Sequence, residues 1–295
     1  MEQFSSLSKS HLDRDSQIIA HDLRLSMGRG EDITGMLNSE LSKYRFYHEL
    51  EVAQGIRTVG EPWAIIFQEA FREAVKDIDF TGKRVIDIGC RDGAMLFHAE
   101  EHGAKQLVGV DNDPSTGLAN FLVPFRGSKI SCFGGNIYDV LPKDTGKFDI
   151  VICCGLLYHL RYPMLGVKRL ADLLEDGGIL ILETAILEAF EDMPLLFYPY
   201  RRESPYEGTS PSFLNMACLK NVFLQGALST PEIRNRFHPI KFSLEKYFPG
   251  FYSSVDGKEM VIARTIVTAK KVDPPSEHLE RYFEGQHRRH TTGNF

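Results

Sequence analysis

Two aspartates, a glycine-rich turn and a short Leu-Tyr-His run are the residues whose types and spacing could do chemistry in this chain. An apolar run, Val85-Ile86-Asp87-Ile88, ends in Gly89-Cys90-Arg91-Asp92-Gly93. An amphipathic segment follows, and a second apolar run, Leu107-Val108-Gly109-Val110, stops at Asp111. Strand, glycine turn, helix, strand, acid is the first half of a nucleoside-binding βαβ unit. The turn glycines let the backbone pass close to a ligand, and Asp111 can accept hydrogen bonds from both ribose hydroxyls. A pyrophosphate-binding turn wants G-x-G-x-x-G with the phosphate on the helix N-terminus. Here the pattern is D-x-G-x-x-x-G, and Asp87 would repel a pyrophosphate but suits a cationic amino-acid ligand.

Further candidates lie where the later strands end. After the third strand, Gly135-Asn136-Ile137-Tyr138 offers Asn136 to read an exocyclic amine and Ile137 to cover an adenine ring; Gly-Asn is also a plain turn sequence. The fourth strand, Phe148–Cys154, runs into Gly155-Leu156-Leu157-Tyr158-His159. Ligands of open α/β sheets sit beyond the carboxyl ends of strands, which suits Tyr158 and His159 to a cofactor or acceptor. His159 is the candidate base, since an imidazole titrates near neutral pH; a helix-start histidine satisfied by backbone is the bland alternative. Transfer to an already reactive nucleophile can also proceed by positioning alone. Arg57, Trp63, Tyr198, Tyr200, Arg201, Arg202 and Tyr206 could line an acceptor pocket, because guanidinium forks suit anions and aromatics stack on flat rings. They could equally be snorkelling side chains of a solvated loop.

The elements that must position these groups follow the period of the apolar residues. Strands are expected at 84–88, 107–111, 129–133, 148–154, 178–183, about 238–245 and 259–269, with a turn near Val255-Asp256-Gly257-Lys258. Helices are expected from Trp63 to Val75, where Ile65, Ile66, Phe67, Ala70, Phe71 and Ala74 recur at helical spacing, and near 94–103, 115–122, 164–174 and 212–226. Asp176-Gly177-Gly178 should end the fourth of these before its strand. This alternation predicts an α/β fold: a Rossmann-like, doubly wound, seven-stranded sheet with an antiparallel last strand. Residues 1–75 form an N-terminal helical extension, 46–62 a loop within it, and 76–270 the main domain. Residues 184–210 are an aromatic and arginine-rich cap inserted after the fifth strand, with no regular element in its pattern, and 271–295 form a polar tail.

The bulk numbers exclude several classes. A net charge of −6 gives no global positive field for nucleic acid, leaving only a local basic patch. With no run of 18 apolar residues and an opening Met1-Glu2-Gln3, neither a membrane span nor a signal peptide is expected, and the chain reads as cytoplasmic. Five cysteines without C-x-x-C spacing read as reduced core residues, and the ten histidines show no ligand spacing, so no metal is expected.

The D-x-G-x-x-x-G turn with Asp111 resembles the first motif of the class I S-adenosylmethionine (SAM) methyltransferases, which implies SAM as cofactor. On that reading Asp87, Gly89, Cys90, Gly93, Asp111 and Asn112 hold it, with Asn136 and Ile137 at the adenine. Leu157-Tyr158-His159 followed by Gly177-Gly178-Ile179-Leu180-Ile181-Leu182-Glu183-Thr184 narrows the likeness, together with Glu61-x-Trp63 and Leu219-Lys220-Asn221. Over roughly residues 55–230 the chain resembles the tRNA wobble-uridine (5-hydroxyuridine) carboxymethyltransferase-like family, whose best-known member uses carboxy-SAM. The resemblance implies that Trp63, Gly89, Asp111, Cys154 and Tyr158 border the cofactor and that the insertion approaches the acceptor. In that enzyme a lysine shortly before the tryptophan holds the extra carboxylate. Residues 47–63 contain no lysine, only Arg57.

The leading expectation is therefore a SAM-dependent methyltransferase acting on oxygen, or secondly nitrogen, of a small aromatic or anionic acceptor. A tRNA wobble-uridine (carboxy)methyltransferase is the alternative. A catalytically silent SAM-binding protein is the third reading, favoured by Arg91 where glycine is more common.

Overall fold

A computed structural model describes residues 8–9, 12–242 and 260–272, and the chain divides into two compact units, Met1–Cys154 and Gly155–Phe295. The N-terminal helices α1 (Arg14–Gly28) and α2 (Thr34–Leu41) belong to the first unit. Asp13 N donates to Asn120 Oδ1 and Gln17 Nε2 to the Ala119 carbonyl, which ties α1 to a π-helical turn at Leu118–Leu122. That turn and α5 (Val123–Arg126) replace the simple helix expected at 115–122.

The first unit is built on a sheet in the order β1 (Ser8–Lys9), β6 (Ser131–Gly134), β5 (Gln106–Asp111), β4 (Arg84–Ile88), β7 (Phe148–Cys154). The β4–β5, β5–β6 and β4–β7 pairs are parallel, while β1 runs antiparallel to β6. Parallel strands covered on both faces read as continuous apolar runs, and Val85, Ile86, Ile88, Leu107, Val108 and Val110 are all buried. α3 (Pro62–Ala74) opens with Pro at its first turn and buries Ala64, Phe67, Ala70, Phe71 and Ala74. Ile65 and Ile66, expected in the same stripe, are exposed; they fall outside the i, i+3, i+4 face that Phe67 and Phe71 define. The expected loop at 46–62 contains a small antiparallel hairpin, β2 (Glu51–Ala53) with β3 (Ile56–Arg57), turned at Gly55. α4 (Ala94–Glu101) ends two residues early, and α6 (Pro142–Thr145) is a single turn before β7.

The second unit opens with α7 (Pro163–Asp172) and centres on the long β8 (Leu174–Glu188). β8 pairs antiparallel with β12 (Met260–Lys270) from Ile179↔Lys270 to Glu188↔Val261. β12 pairs in turn with β11 (Glu232–Phe242), giving the expected antiparallel end; the turn expected at 255–258 and the tail beyond 272 lie outside the described residues. Helix α7 stops at Asp172, before the Asp176-Gly177-Gly178 stop signal. Leu173 and Leu174 are both fully buried and draw the chain into the sheet first, and Gly177, with φ 74°, falls inside β8. The insertion carries short strands that its pattern does not announce. β9 (Leu196–Phe197) pairs antiparallel with β10 (Phe213–Asn215), and β10 lies parallel to β8 at Leu214↔Ile186. α8 (Met216–Gln225) follows, capped by the Asn215 side chain on Cys218 N. Among the described residues no helix is long and apolar enough to cross a membrane.

Candidate active site

In the first unit the parallel register brings Asp87, on β4, opposite Gly109 of β5, with Asp111 two residues on at the strand's end. Asp111 is half-buried, and both oxygens are already aimed by backbone. Its Oδ2 accepts Arg91 N at 2.9 Å and its Oδ1 accepts Asp113 N at 2.8 Å. A carboxylate offers about four lone-pair sites, so each oxygen keeps one for a ribose hydroxyl. Arg91, with φ 44°, takes the left-handed conformation for which glycine is the usual residue, and its Nη1 reaches Asp113 Oδ2 at 2.6 Å. The arginine thus completes the acid's framing and does not argue for a dead site.

Asp87 is only 2% exposed, and its Oδ1 has no hydrogen-bond partner among the described residues. Burial, then the negative charge of Asp111, push this carboxyl well above the ordinary aspartate range. A buried acid in that state calls for a cation. Gly93 is needed for its left-handed φ of 73° and because a Cβ would meet Leu118 Cδ1 at 2.9 Å. Gly89 has φ 88° and donates its amide to the Val110 carbonyl. Cys90 is different from the expectation. Its side chain turns into the core, 2.7 Å from where a Cβ on Gly109 would stand, and burial pushes its thiol far up. Its backbone is engaged as well, the N–H donating to the Val110 carbonyl at 3.3 Å and the carbonyl accepting Gly93 N at 2.7 Å.

Trp63 is 42% exposed and packs edge-on against Tyr47, ring centroids 4.6 Å apart. Holding this pair is Asp92, the fully buried acid of the glycine turn. Its Oδ2 accepts Tyr47 N at 2.5 Å and His48 N at 2.9 Å, with His48 Nδ1 at 3.4 Å. Burial raises the Asp92 carboxyl, but His48 and the backbone bond outweigh it and leave a net lowering. Sequence reading missed Asp92 as an anchor; an acid inside a glycine turn was the available signal. Asn136 caps the turn Ile137–Asp139 through Tyr138 N at 3.1 Å, as the plain turn reading has it, while Ile137 is buried. Asn112 is exposed beside Asp111, and Cys154 is half-buried and forms no disulfide. Arg57 is spent elsewhere: its guanidinium bridges Glu49 at 2.9 Å and Glu51 at 3.0 Å on the β2–β3 hairpin.

In the second unit Tyr158 is a core residue, packed with Ala185, Leu187, Phe213, Met260 and Ile262. Its ring lies under the Arg264 guanidinium at 5.1 Å and meets Tyr206 edge-on at 5.5 Å. His159 stands beside it with both nitrogens engaged: Nδ1 3.2 Å from the Thr209 carbonyl and Nε2 3.3 Å from Glu207 Oε1. Both neighbours are acceptors, so whichever ring nitrogen carries the proton can donate it, to the Thr209 carbonyl or to Glu207. Tyr198, Tyr200, Arg201 and Arg202 are exposed on the cap, where Arg201 lies over the Tyr200 ring at 5.1 Å. The cap's apolar residues Phe190, Leu195 and Phe197 do find cover, against the Tyr158 cluster. No group of three or more metal-ligating side chains occurs among the described residues.

A sulfonium amino acid with an adenosine tail matches this donor set. The Asp87 carboxyl, whose Oδ1 has no partner among the described residues, suits its positive end, and the framed Asp111 suits its ribose.

Comparison with known proteins agrees. Residues 63–224, more than half of the chain, match the methyltransferase domain family. A tRNA U34 carboxymethyltransferase of Campylobacter hominis is 36% identical over 123 residues, 40% of this chain and 41% of that protein. Its counterpart in Desulforapulum autotrophicum is 27% identical over 189 residues, 62% and 55% of the two chains. The matched stretch thus spans less than half of the first of these relatives and little more than half of the second. Among solved structures, the N-terminal domain of EvdMO1, crystallised with SAH and D-fucose, superposes with a TM-score of 0.54 at 17% identity, over 79% of this chain and 93% of that one. YcgJ of Bacillus subtilis gives 0.51 at 12% identity, over 70% and 99%. At such identities these likenesses speak for the fold alone. By fold, turn chemistry and domain match, the chain belongs to the SAM-dependent methyltransferase-domain family.

Proposed function

We propose that the chain transfers a methyl group from SAM to an oxygen, or secondly a nitrogen, of a small acceptor that is aromatic, anionic or both. The observation that carries the cofactor half is the buried Asp87 carboxyl, its Oδ1 without a partner among the described residues, next to the framed Asp111. When bound, SAM supplies an electrophilic methyl on a cationic sulfur. Asp87 offsets the positive charge of the amino-acid end, Asp111 orients the ribose, and Trp63 on Tyr47 provides an aromatic wall. A nucleophile on the acceptor would take that methyl, and His159 Nε2, or water, is the base offered for its proton. Arg201 and Arg202, exposed on the cap, are the cations offered to the acceptor.

The relatives' name supports a second reading, carboxymethyl transfer to tRNA U34. Arg57 weighs against its carboxy-SAM half. Two glutamates already bind that guanidinium, and no lysine lies in residues 47–63. Mass spectrometry of the co-purified cofactor decides between them, carboxy-SAM favouring the tRNA reading.

Two outcomes test the roles of the residues. Asp111→Ala should weaken SAM binding ten- to a hundredfold with the fold intact, since the ribose loses a charged acceptor whose pairing is worth about 1.5–3 kcal/mol in all. Unchanged affinity by calorimetry would move the ribose elsewhere. Replacing Arg201 and Arg202 together with alanine should lower kcat/KM for the acceptor by about tenfold and leave SAM affinity unaltered. A collapse of SAM affinity instead would remove the cap from the acceptor's side of the reaction.

A further inference from the structure

The insertion after β8 is anchored at both ends and exposed between them. Asn215, fully buried, holds the first end. Its Nδ2 donates to the carbonyls of Ala189, Phe190 and Met193 at 3.0, 2.9 and 2.6 Å, and its Oδ1 accepts Leu195 N at 3.0 Å. The same oxygen caps α8 on Cys218 N, so one side chain fixes residues 189–195 to a helix start.

The other end, 206–212, is joined along its length to the turn that contains Tyr158 and His159. Ser212 N donates to the Tyr158 carbonyl at 3.3 Å and Ser212 Oγ to the Leu160 carbonyl at 2.8 Å. His159 meets Thr209 and Glu207, and the Tyr206 ring packs on Tyr158. Behind both stands a buried ion pair. Arg264 binds Glu183 through Nε and through Nη2, the latter at 2.5 Å, and its Nη1 donates to Tyr206 Oη at 3.0 Å. Glu183 Oε2 also accepts Gly155 N at 2.8 Å. Arg264 thus contacts the cap directly, and the turn both through Glu183 and over the Tyr158 ring at 5.1 Å.

Residues 198–205 differ. Tyr198, Tyr200, Arg201 and Arg202 are exposed, Tyr198 reaches the Arg161 carbonyl through a solvent-exposed bond of 3.3 Å, and Arg201 holds a left-handed φ of 47°. Exposed hydrogen bonds and sparse burial mark segments that open at low free energy.

We propose that Arg264, fixed by Glu183, and Asn215 are positioning residues that make the two flanks of the cap rigid and confine its adaptation to an acceptor to the tip 198–205. The tip's role toward an acceptor rests on the methyltransferase reading; the mechanics of the flanks do not.

Hydrogen–deuterium exchange on the full chain, wild type against Tyr206→Phe, Arg264→Lys and the double variant, tests this. Wild-type amides at 198–205 should exchange at least tenfold faster than those at 206–212. Tyr206→Phe removes one hydroxyl and should speed exchange at 206–212 and at 155–160 together, by about fivefold, with 84–93 unchanged. In the Arg264→Lys background the same substitution should add little, because the hydroxyl acts through the guanidinium. A hydroxyl that only stabilises the fold would act equally in both backgrounds, and that result overturns the proposal. So does a tip as protected as 206–212, or a Tyr206→Phe effect that spares 155–160. Calorimetry of the wild type with S-adenosylhomocysteine is the separate arm: absent binding defeats the methyltransferase reading whatever the exchange pattern shows.

Discussion

Replacing Asp87 with asparagine is expected to weaken SAM binding about a hundredfold while stabilising the ligand-free protein at neutral pH. The carboxyl is buried, its Oδ1 lacks a partner among the described residues, and burial together with Asp111 raises its proton affinity. A folded-state value above the unfolded one, near 4 for aspartate, means a contribution to stability that is complete below pH 4. That contribution is lost as pH rises through the folded-state value. The wild-type protein without ligand should therefore lose stability as pH climbs from about 4, and Asp87→Asn should not share this loss. Ligand binding runs the other way. A cationic ligand wants Asp87 ionised, so wild-type affinity should rise with pH as the proton becomes easier to release. The amide cannot follow, and its affinity should be nearly flat. A lost charge-assisted contact of about 1.5–3 kcal/mol corresponds to a ten- to hundredfold change, the upper end applying in a buried site. Thermal melts across pH 4–8 and SAM calorimetry on both proteins make the check. An asparagine variant that binds SAM as tightly as wild type would remove Asp87 from the cofactor's cationic end.

This trade between stability and binding was visible in the sequence only as a charged residue where an apolar one belongs. Asp87 interrupts Val85-Ile86 and Ile88, just as Glu183 interrupts Ile179–Leu182 and Arg264 interrupts Val261–Ala263 and Thr265–Val267. The strands themselves were legible because fully covered strands are written as apolar runs. That Glu183 and Arg264 answer one another was not legible, since 81 residues separate them and only the β8–β12 register makes them neighbours. In that register Arg264 faces Ala185 and lies diagonal to Glu183 on one side of the sheet. Asp92 escaped for the same reason, its partners Tyr47 and His48 lying 45 and 44 residues away. Asn215 falls inside the helix expected near 212–226, and nothing local shows that it caps α8 and gathers three carbonyls of the cap. Short strands such as β9 and β10 exist through pairing and carry no period of their own. Motif chemistry is local and could be read; anchoring across the fold is tertiary and could not.

The largest loss of stability should come from Arg264→Met, about 3–5 kcal/mol, because it leaves Glu183 charged and fully buried without its cation. Adding Glu183→Leu to the same protein should recover most of that loss, although it removes a second polar group. A buried ion pair owes much of its apparent strength to the cost of breaking it one-sidedly, and apolar replacements of similar volume are often close to neutral. Two hydrogen-bonding groups lose a partner in the double variant, and their positions set how complete the recovery is. Gly155 N still has the Glu183 main-chain carbonyl at 3.2 Å, which any residue at 183 provides. Tyr206 Oη loses the Arg264 donor, at a cost of about 1 kcal/mol for a neutral hydroxyl that can turn to water. Urea unfolding of the three proteins should therefore rank the single variant far below the other two, with the double within about 2 kcal/mol of wild type. The double should still show the loosened 206–212 and 155–160 segments, since it restores stability but not the fork that joins cap and turn. Equal destabilisation of single and double variants would mean that packing volume, not the unpaired charge, dominates at this site, and the ion pair would lose its claim to position anything.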